Sequence, residues 1–378
     1  MISKLRRTIL ALTLFIALGH ADAARAQGCV RGLVVPGAAG SDSQIKPGQF
    51  TLSLGWRGAR ADTYYFYARP YNFLNVREKP TRAWDTLDLT GTYQVTPRFN
   101  LAASVPLNIN RATFLQPGNG SPFEARQIIN ASSVGDMSIM GRTWLWKPNE
   151  SPRGNILFGA GLKLPTGNFR ASDTYSDFTG QHLRKQPVPL TIMPGDGGVD
   201  VVLEALGYRS VKFPVKGSTV FAQGNYIIAP RDTNKIPSQV ATSGNPEFFL
   251  NPAVLTNSAN VNTVPDVYAV RTGLIVPFFP KAKTPFKKSL LWQLAYRWEG
   301  SPQKDFIGGS RGYRQPGFFM AVEPGVYCNY KRHLLQVSVP ISFVRMALPD
   351  LSEKQGSPDP RTTAFAPASI NVRYTYLF

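Results

Sequence analysis

Acidic side chains are scarce in this sequence of 378 residues: 23 Asp and Glu stand against 42 Lys and Arg, and charged residues make up only 17% of the chain. With 43% hydrophobic and 12% aromatic residues beside them, so few charges exclude a disordered polyelectrolyte, because there is ample apolar surface to bury. Cysteine is nearly absent, with Cys29 and Cys328 alone, and histidine is limited to three; that excludes a disulfide-rich scaffold and any Cys- or His-rich metal spacing. Long apolar runs are missing as well. Beyond the first 20 residues the longest are pieces such as Leu274 to Phe279, far short of the roughly 18 residues a helix needs to span a bilayer. A helical membrane protein is therefore excluded. No glycine loop of nucleotide type follows a strand and opens a helix, so neither metal nor cofactor is expected.

What is present begins with a leader. Lys4, Arg6 and Arg7 precede the apolar stretch Ile9 to Leu18, and Ala24-Arg25-Ala26 forms a small-x-small site, so residues 1–26 read as a cleaved export signal. Its removal takes away four basic residues and one acid, and the formal +19 falls to +16. Residues 27–48 then form an N-terminal arm or short plug, and residues 49–378 one domain. An exported chain meets an oxidising compartment, which makes Cys29 and Cys328 a disulfide candidate that would pin the arm at the domain's mouth. Two unpaired thiols are the alternative.

The period of the domain is two. The chain ends Ile370-Asn-Val372-Arg-Tyr374-Thr-Tyr376-Leu-Phe378, and Phe50, Leu52, Leu54 and Trp56 alternate with Thr51, Ser53, Gly55 and Arg57. Such alternation makes one face of a strand greasy and the other polar. Twelve segments of this kind are centred near 50–57, 84–95, 99–107, 136–146, 155–164, 199–208, 218–229, 266–277, 289–299, 318–328, 334–344 and 369–378. Each is about as long as a tilted strand crossing a hydrocarbon layer, and short connections alternate with long ones rich in Pro, Gly, Asn and Ser. An even strand number with loops segregated by length predicts an all-β, transmembrane, antiparallel up-and-down barrel of about twelve strands in the bacterial outer membrane. Tyr374, Tyr376 and Phe378 resemble the C-terminal signal read by the barrel-assembly machinery.

Aiming the apolar face of each segment at lipid leaves a lumen face whose ionisable residues can be inventoried. The cations are Arg57, Arg142, Lys163, Arg271, Arg297 and Arg373; the anions are Asp88, Asp136, Asp200, Glu204, Glu299 and Glu323. Six against six makes no ion filter and instead predicts pairs that tie the wall together or narrow the channel. The basic excess falls on the short turns, where Arg98, Lys147, Arg153, Arg209, Lys212, Lys216, Lys281, Lys283, Lys287, Lys288, Lys331 and Arg332 face Glu150 alone. That rim suits outer-membrane lipid phosphates or an acidic periplasmic partner, and equally plain solvated turns. Spread over five turns, it is no nucleic-acid surface. His182 in a long loop and His333 in a short turn fall at opposite ends of the barrel, which opposes a hydrolytic constellation.

Three glycine-rich stretches resemble one family: Gly135-Asp136-Met137-Ser138, then Gly159 to Asn168 with its Leu164-Pro165-Thr166-Gly167, then Gly195-Asp196-Gly197-Gly198-Val199-Asp200. Together with Tyr296-Arg297-Trp298-Glu299, Pro324-Gly325-Val326-Tyr327 and Leu335 to Pro340 they look similar to the outer-membrane family named for the meta-pathway of phenol degradation. The likeness covers roughly residues 84–345 and departs at Met193-Pro194 and at an insert over 230–264. It implies a barrel that moves small hydrophobic or aromatic solutes, and no catalytic residues. Two alternatives remain beside a channel: a filled barrel whose long loops interact at the surface, and an outer-membrane lipid hydrolase.

Overall fold

A computed structural model describes residues 46–72, 80–116, 125–176, 179–238, 260–281, 284, 290–349 and 363–378. The expected leader, most of the expected arm with Cys29, and Lys283, Lys287 and Lys288 of the rim lie outside the described residues.

Twelve antiparallel strands close into a barrel. They are β1 (Phe50–Ala61), β2 (Thr81–Gln94), β3 (Phe99–Gln116), β4 in two segments (Ala125–Val134 and Met137–Trp144), β5 (Gly154–Leu164) and β6 (Asp200–Val211). β7 (Ser218–Ile228), β8 (Val267–Pro277), β9 (Leu290–Ser301), β10 (Gly317–Tyr330), β11 in two segments (His333–Ser338 and Ile341–Ala347) and β12 (Ser369–Leu377) complete it. Each strand pairs with the next, and β12 returns to β1 with Leu54 opposite Tyr374 and Leu52 opposite Tyr376. Closure gives every strand a partner on both sides, apart from the upper segments of β4 and β11, and such pairing is what a sheet in hydrocarbon requires.

The distribution of side chains is inverted relative to a water-soluble sheet. Leu54, Leu89, Leu101, Ile139, Phe158, Leu203, Leu294 and Phe343 are exposed on the outer surface, Leu54 by 52% and Phe343 by 57%. On the opposite face Arg57, Thr86, Asn108, Gln223, Arg271, Gln293, Arg297, Glu299 and Glu323 are buried. Water on the outside would penalise the first set, and an apolar solvent on the outside removes that penalty while the second set finds partners within.

Two strands are broken, and each break departs from the sequence segments. The segment expected at 136–146 is only the lower half of β4; the upper half, 125–134, pairs with β3 alone, while Met137–Trp144 bridges β3 and β5. Its alternation lapses because Ile128 points out and Ile129 is fully buried, packed in the apolar cluster that fills the loop end of the barrel with Trp84, Tyr175, Ile192 and Phe365. The loop hairpin Ser172–Tyr175 with Arg184–Pro187 covers this upper half, Asp173 accepting from the Asn130 amide at 2.7 Å and Gln127 from the Ser176 amide at 3.0 Å. β11 breaks at Val339-Pro340, its lower part pairing β12 and its upper part only β10. Buried Tyr175 donates its hydroxyl to the Pro187 carbonyl at 3.1 Å, and burial holds its ionisation above the ordinary range.

Candidate functional site: a cavity in the lumen

The loop between β5 and β6, residues 165–199, turns into the barrel. Its 3-10 turn Leu190–Ile192 is buried and hangs from four inward side chains of β2 and β3. Trp84 Nε1 donates to the Thr191 carbonyl (2.7 Å), Arg82 Nε to Thr191 Oγ1 (3.3 Å), Asn110 Nδ2 to the Ile192 carbonyl (2.9 Å) and Asn108 Nδ2 to the Pro194 carbonyl (2.9 Å). Four such bonds, each from a buried side chain, fix an otherwise long loop in place.

The three glycine-rich stretches converge where this loop meets the break in β4. Asp136 accepts from the backbone amides of Gly167 at 2.9 Å and Asp196 at 3.0 Å. Thr166 Oγ1 accepts from the Met137 amide at 2.9 Å and donates to the Gly135 carbonyl at 3.1 Å. Gly195 and Gly167 touch backbone to backbone; a Cβ on Gly195 would stand 2.7 Å from the Gly167 carbonyl carbon. Any larger residue at either position would part the loop from the break. Lys163 lies at the centre, ion-paired with Asp196 and Asp200 and 3.7 Å from Asp136. One ammonium holds three carboxylates, so the pairing is structural as well as electrostatic.

A second pair spans a strand. Arg142 of β4 and Glu204 of β6 are ion-paired across β5, where Gly159 is in register with both. A Cβ on Gly159 would fall 2.4 Å from Glu204 Oε1, so the glycine is what lets the two side chains meet.

On the far wall a third network closes part of the lumen. Arg57 of β1 reaches Glu299 of β9 at 2.8 Å, Glu299 pairs with Arg297, and Glu323 of β10 accepts from Arg297 at 3.4 Å and from Arg271 of β8 at 2.9 Å. All five are at most 7% exposed. Asp88 and Arg373 flank Gly55 on the two neighbouring strands of the same wall.

All twelve charged residues inventoried from the sequence thus stand on the inward face or, for Asp136, at the break in β4. The loop residues that complete the site, Thr191, Asp196 and the Leu190–Pro194 segment, were not in that inventory because they belong to no strand; only the glycine-rich motif around Asp196 marked the place. Of the two candidate cysteines, Cys328 lies among the described residues and Cys29 outside them. Cys328 shares its strand parity with the outward Val322 and Val326 and lies opposite outward Leu335, so its side chain faces the outer surface. At the same rim His333 Nδ1 lies 2.7 Å from the Tyr374 hydroxyl, and Tyr376 meets Phe378 edge to face with ring centroids 4.8 Å apart.

Between these features lies a cavity of about 210 Å³. Trp84, Pro106, Met140, Leu190, Met193, Pro194, Val202, Ile227, Pro265 and Val267 give it apolar walls; Asn108, Asn110, Asp136, Ser138, Arg142, Lys163, Asp196, Glu204 and Asn225 give it polar ones. A hollow that joins apolar walls to convergent polar groups is a usual form of a small-molecule site.

No family model matches the chain, and no curated protein matches it in sequence. Among solved structures, an outer membrane channel from Pseudomonas putida F1 superposes with a TM-score of 0.54 at 15% identity, covering 92% of this chain and 100% of that one. The fold is an outer-membrane barrel. The translocator domain of autotransporter NalP from Neisseria meningitidis follows with a TM-score of 0.44, 12% identity and coverages of 89% and 90%. A monoaromatic hydrocarbon channel, CymD, gives 0.39, 9% and 94% of both chains. The first likeness supports the architecture alone, and the others are too distant to add to it. The finer resemblance to the phenol meta-pathway family gains no matching family model.

Proposed function

We propose that the protein is an outer-membrane channel or facilitated transporter for small solutes with an apolar or aromatic body, not an enzyme. The observation that carries this reading is the cavity: it lies inside a barrel whose outer surface is greasy, it is walled on one side by an inserted loop, and its lining joins Trp84, Met140, Leu190 and Met193 to polar groups. A lumen built only to stabilise the wall has no need of an apolar hollow, since an unfilled one forfeits packing contacts. The ion-paired far wall narrows the barrel and restricts passage to the cavity side. Phenol meta-pathway resemblance in the sequence points to the same solute class. The roles of the lumen residues follow from their places: Arg142, Lys163, Asp136 and Glu204 border the path, while Arg57, Arg271, Arg297, Glu299 and Glu323 brace the wall opposite.

Liposome swelling with a panel of sugars, aliphatic and aromatic solutes tests the reading. Faster uptake of single-ring aromatics than of sugars of similar size supports it. Absence of uptake for every solute, together with no conductance in planar bilayers, returns the protein to a filled barrel whose loops act at the surface. Lipid hydrolysis lost on replacing His182 or His333 would establish the enzymatic alternative.

A further inference from the structure

The basic residues of the short-turn rim are not evenly placed. Three turns that follow one another around the barrel, 145–153, 212–217 and 278–289, join β4 to β5, β6 to β7 and β8 to β9. With the strand end at Arg209 they hold nine cations in sequence and one acid, Glu150. The other two short turns carry only Arg98, Lys331 and Arg332.

Within this sector Arg153, Arg209, Lys212 and Lys216 are exposed, and none of the four side chains has a hydrogen bond or ion pair among the described residues. Glu150 is taken by Lys147 at 2.8 Å. The backbone holds two of the cations side by side. The Ser210 amide donates to the Arg153 carbonyl at 2.6 Å, and Gly154 is in register with Arg209, so close that a Cβ on Gly154 would stand 3.4 Å from Arg209 Cα. Like charges kept together without a counter-charge repel, and an anion from outside the chain relieves that repulsion.

The direction of Arg209 identifies the anion's source. Arg209 shares its strand parity with outward Leu203 and lies opposite outward Val220. Its side chain therefore stands on the lipid-facing surface at the lower end of β6, where the hydrocarbon layer gives way to headgroups. Neither a solute in the lumen nor a protein docked beneath the turns is placed to meet it there. Phe213, 81% exposed between Lys212 and Lys216, belongs to the same sector, as do exposed Trp146 and Phe279. Aromatic rings beside cations are the composition of a membrane interface.

We propose that this sector binds anionic phospholipids of the adjoining leaflet. The lipid phosphate accepts from Arg153 and Arg209, Lys212 and Lys216 add to the attraction, and the acyl chains lie against Val220 and Phe213. The inference rests on the barrel's place in the membrane and not on what passes through its lumen.

Spin-labelled phosphatidylglycerol and phosphatidylcholine, each added in trace amount to the full chain in phosphatidylcholine vesicles, report relative affinity through the immobilised fraction of their spectra. Phosphatidylglycerol is expected to associate about five-fold or more strongly, the factor carried by one cation near an anionic surface. Salt at about 1 M should remove most of that difference. Joint replacement Arg153→Gln, Arg209→Gln, Lys212→Gln and Lys216→Gln should abolish the preference, while Lys331→Gln with Arg332→Gln, outside the sector, should leave most of it. The salt arm is read on the parent chain and serves if the fourfold variant does not fold. Equal association of the two lipids, a preference unmoved by salt, or one that the folded fourfold variant keeps would overturn the site. Binding of soluble polyglutamate without any lipid preference would also overturn it and assign the sector to an acidic protein.

Discussion

Glu323 is where the far wall can be broken with a single substitution. It is 1% exposed and its carboxylate answers two guanidiniums, Arg271 at 2.9 Å and Arg297 at 3.4 Å. Glu323→Ala leaves three buried arginines, Arg57, Arg271 and Arg297, sharing Glu299. The cost is the desolvation of a buried cation no longer compensated, about 3–5 kcal/mol for loss of one partner from a buried pair, equivalent to roughly two to three and a half decades in the folding equilibrium. Pairing Glu323→Ala with Arg271→Ala removes the orphaned charge with its partner, so the double variant should recover more than 1 kcal/mol of the summed single losses, as coupled neighbours do. The assay is equilibrium unfolding by guanidinium chloride from lipid vesicles, followed by tryptophan fluorescence. A loss under about 1 kcal/mol for Glu323→Ala, or strict additivity in the double variant, would refute the bracing role and return these residues to a hydrated lumen.

Other expectations follow from the same geometry. Leu203→Arg, on the outer surface of β6, should cost about 2–4 kcal/mol in the same unfolding assay. Gly159→Leu should separate Arg142 from Glu204 and impair folding, read as the loss of the heat-modifiable band on cold gel electrophoresis; unchanged mobility and stability would contradict the close approach. Asn108→Ala with Trp84→Phe removes two of the four bonds that hold the inserted loop, each worth about 0.5–1.5 kcal/mol, and should raise single-channel conductance and its noise. Unaltered conductance would show that the loop does not limit the path. Cys328→Ser should leave stability within about 0.5 kcal/mol of the parent; a large loss would mean that Cys328 is tied to another part of the chain.

The architecture was readable because it depends on a property local to each strand. The alternation in Phe50–Arg57 or in Ile370–Phe378 names both faces at once, and turns such as Thr96-Pro97-Arg98 mark the reversals. What was hidden depends on meetings across the lumen. Arg57 and Glu299 are 242 positions apart, and nothing in either neighbourhood foretells their contact. The inventory of six cations and six anions left out inward Arg82 at the start of β2, and it read as a uniform balance because the sequence does not say which strands share a side of the barrel. The upper half of β4 was missed where Ile128 and Ile129 stand together: near the loops the barrel is plugged by apolar side chains, so both faces are apolar and the period of two vanishes. The glycine-rich motifs were visible, but their meaning, a loop clasped to a broken strand around Lys163, exists only once Gly135, Gly167 and Gly195 are in one place.

The central claim is that the apolar face of the strands meets acyl chains and the polar face lines the lumen. Single cysteines from Val201 to Gly207 on β6, introduced with Cys29 and Cys328 replaced by serine and then spin-labelled, test it directly in lipid vesicles. Labels at Val201, Leu203 and Ala205 should be relaxed by dissolved oxygen, and those at Val202, Glu204 and Leu206 shielded from it, with the opposite phase for a water-soluble nickel chelate at the positions facing the path. An oscillation of period two with this phase is the predicted result. A flat profile, or one in which Leu203 is reached by the chelate and Glu204 by oxygen, would contradict the account.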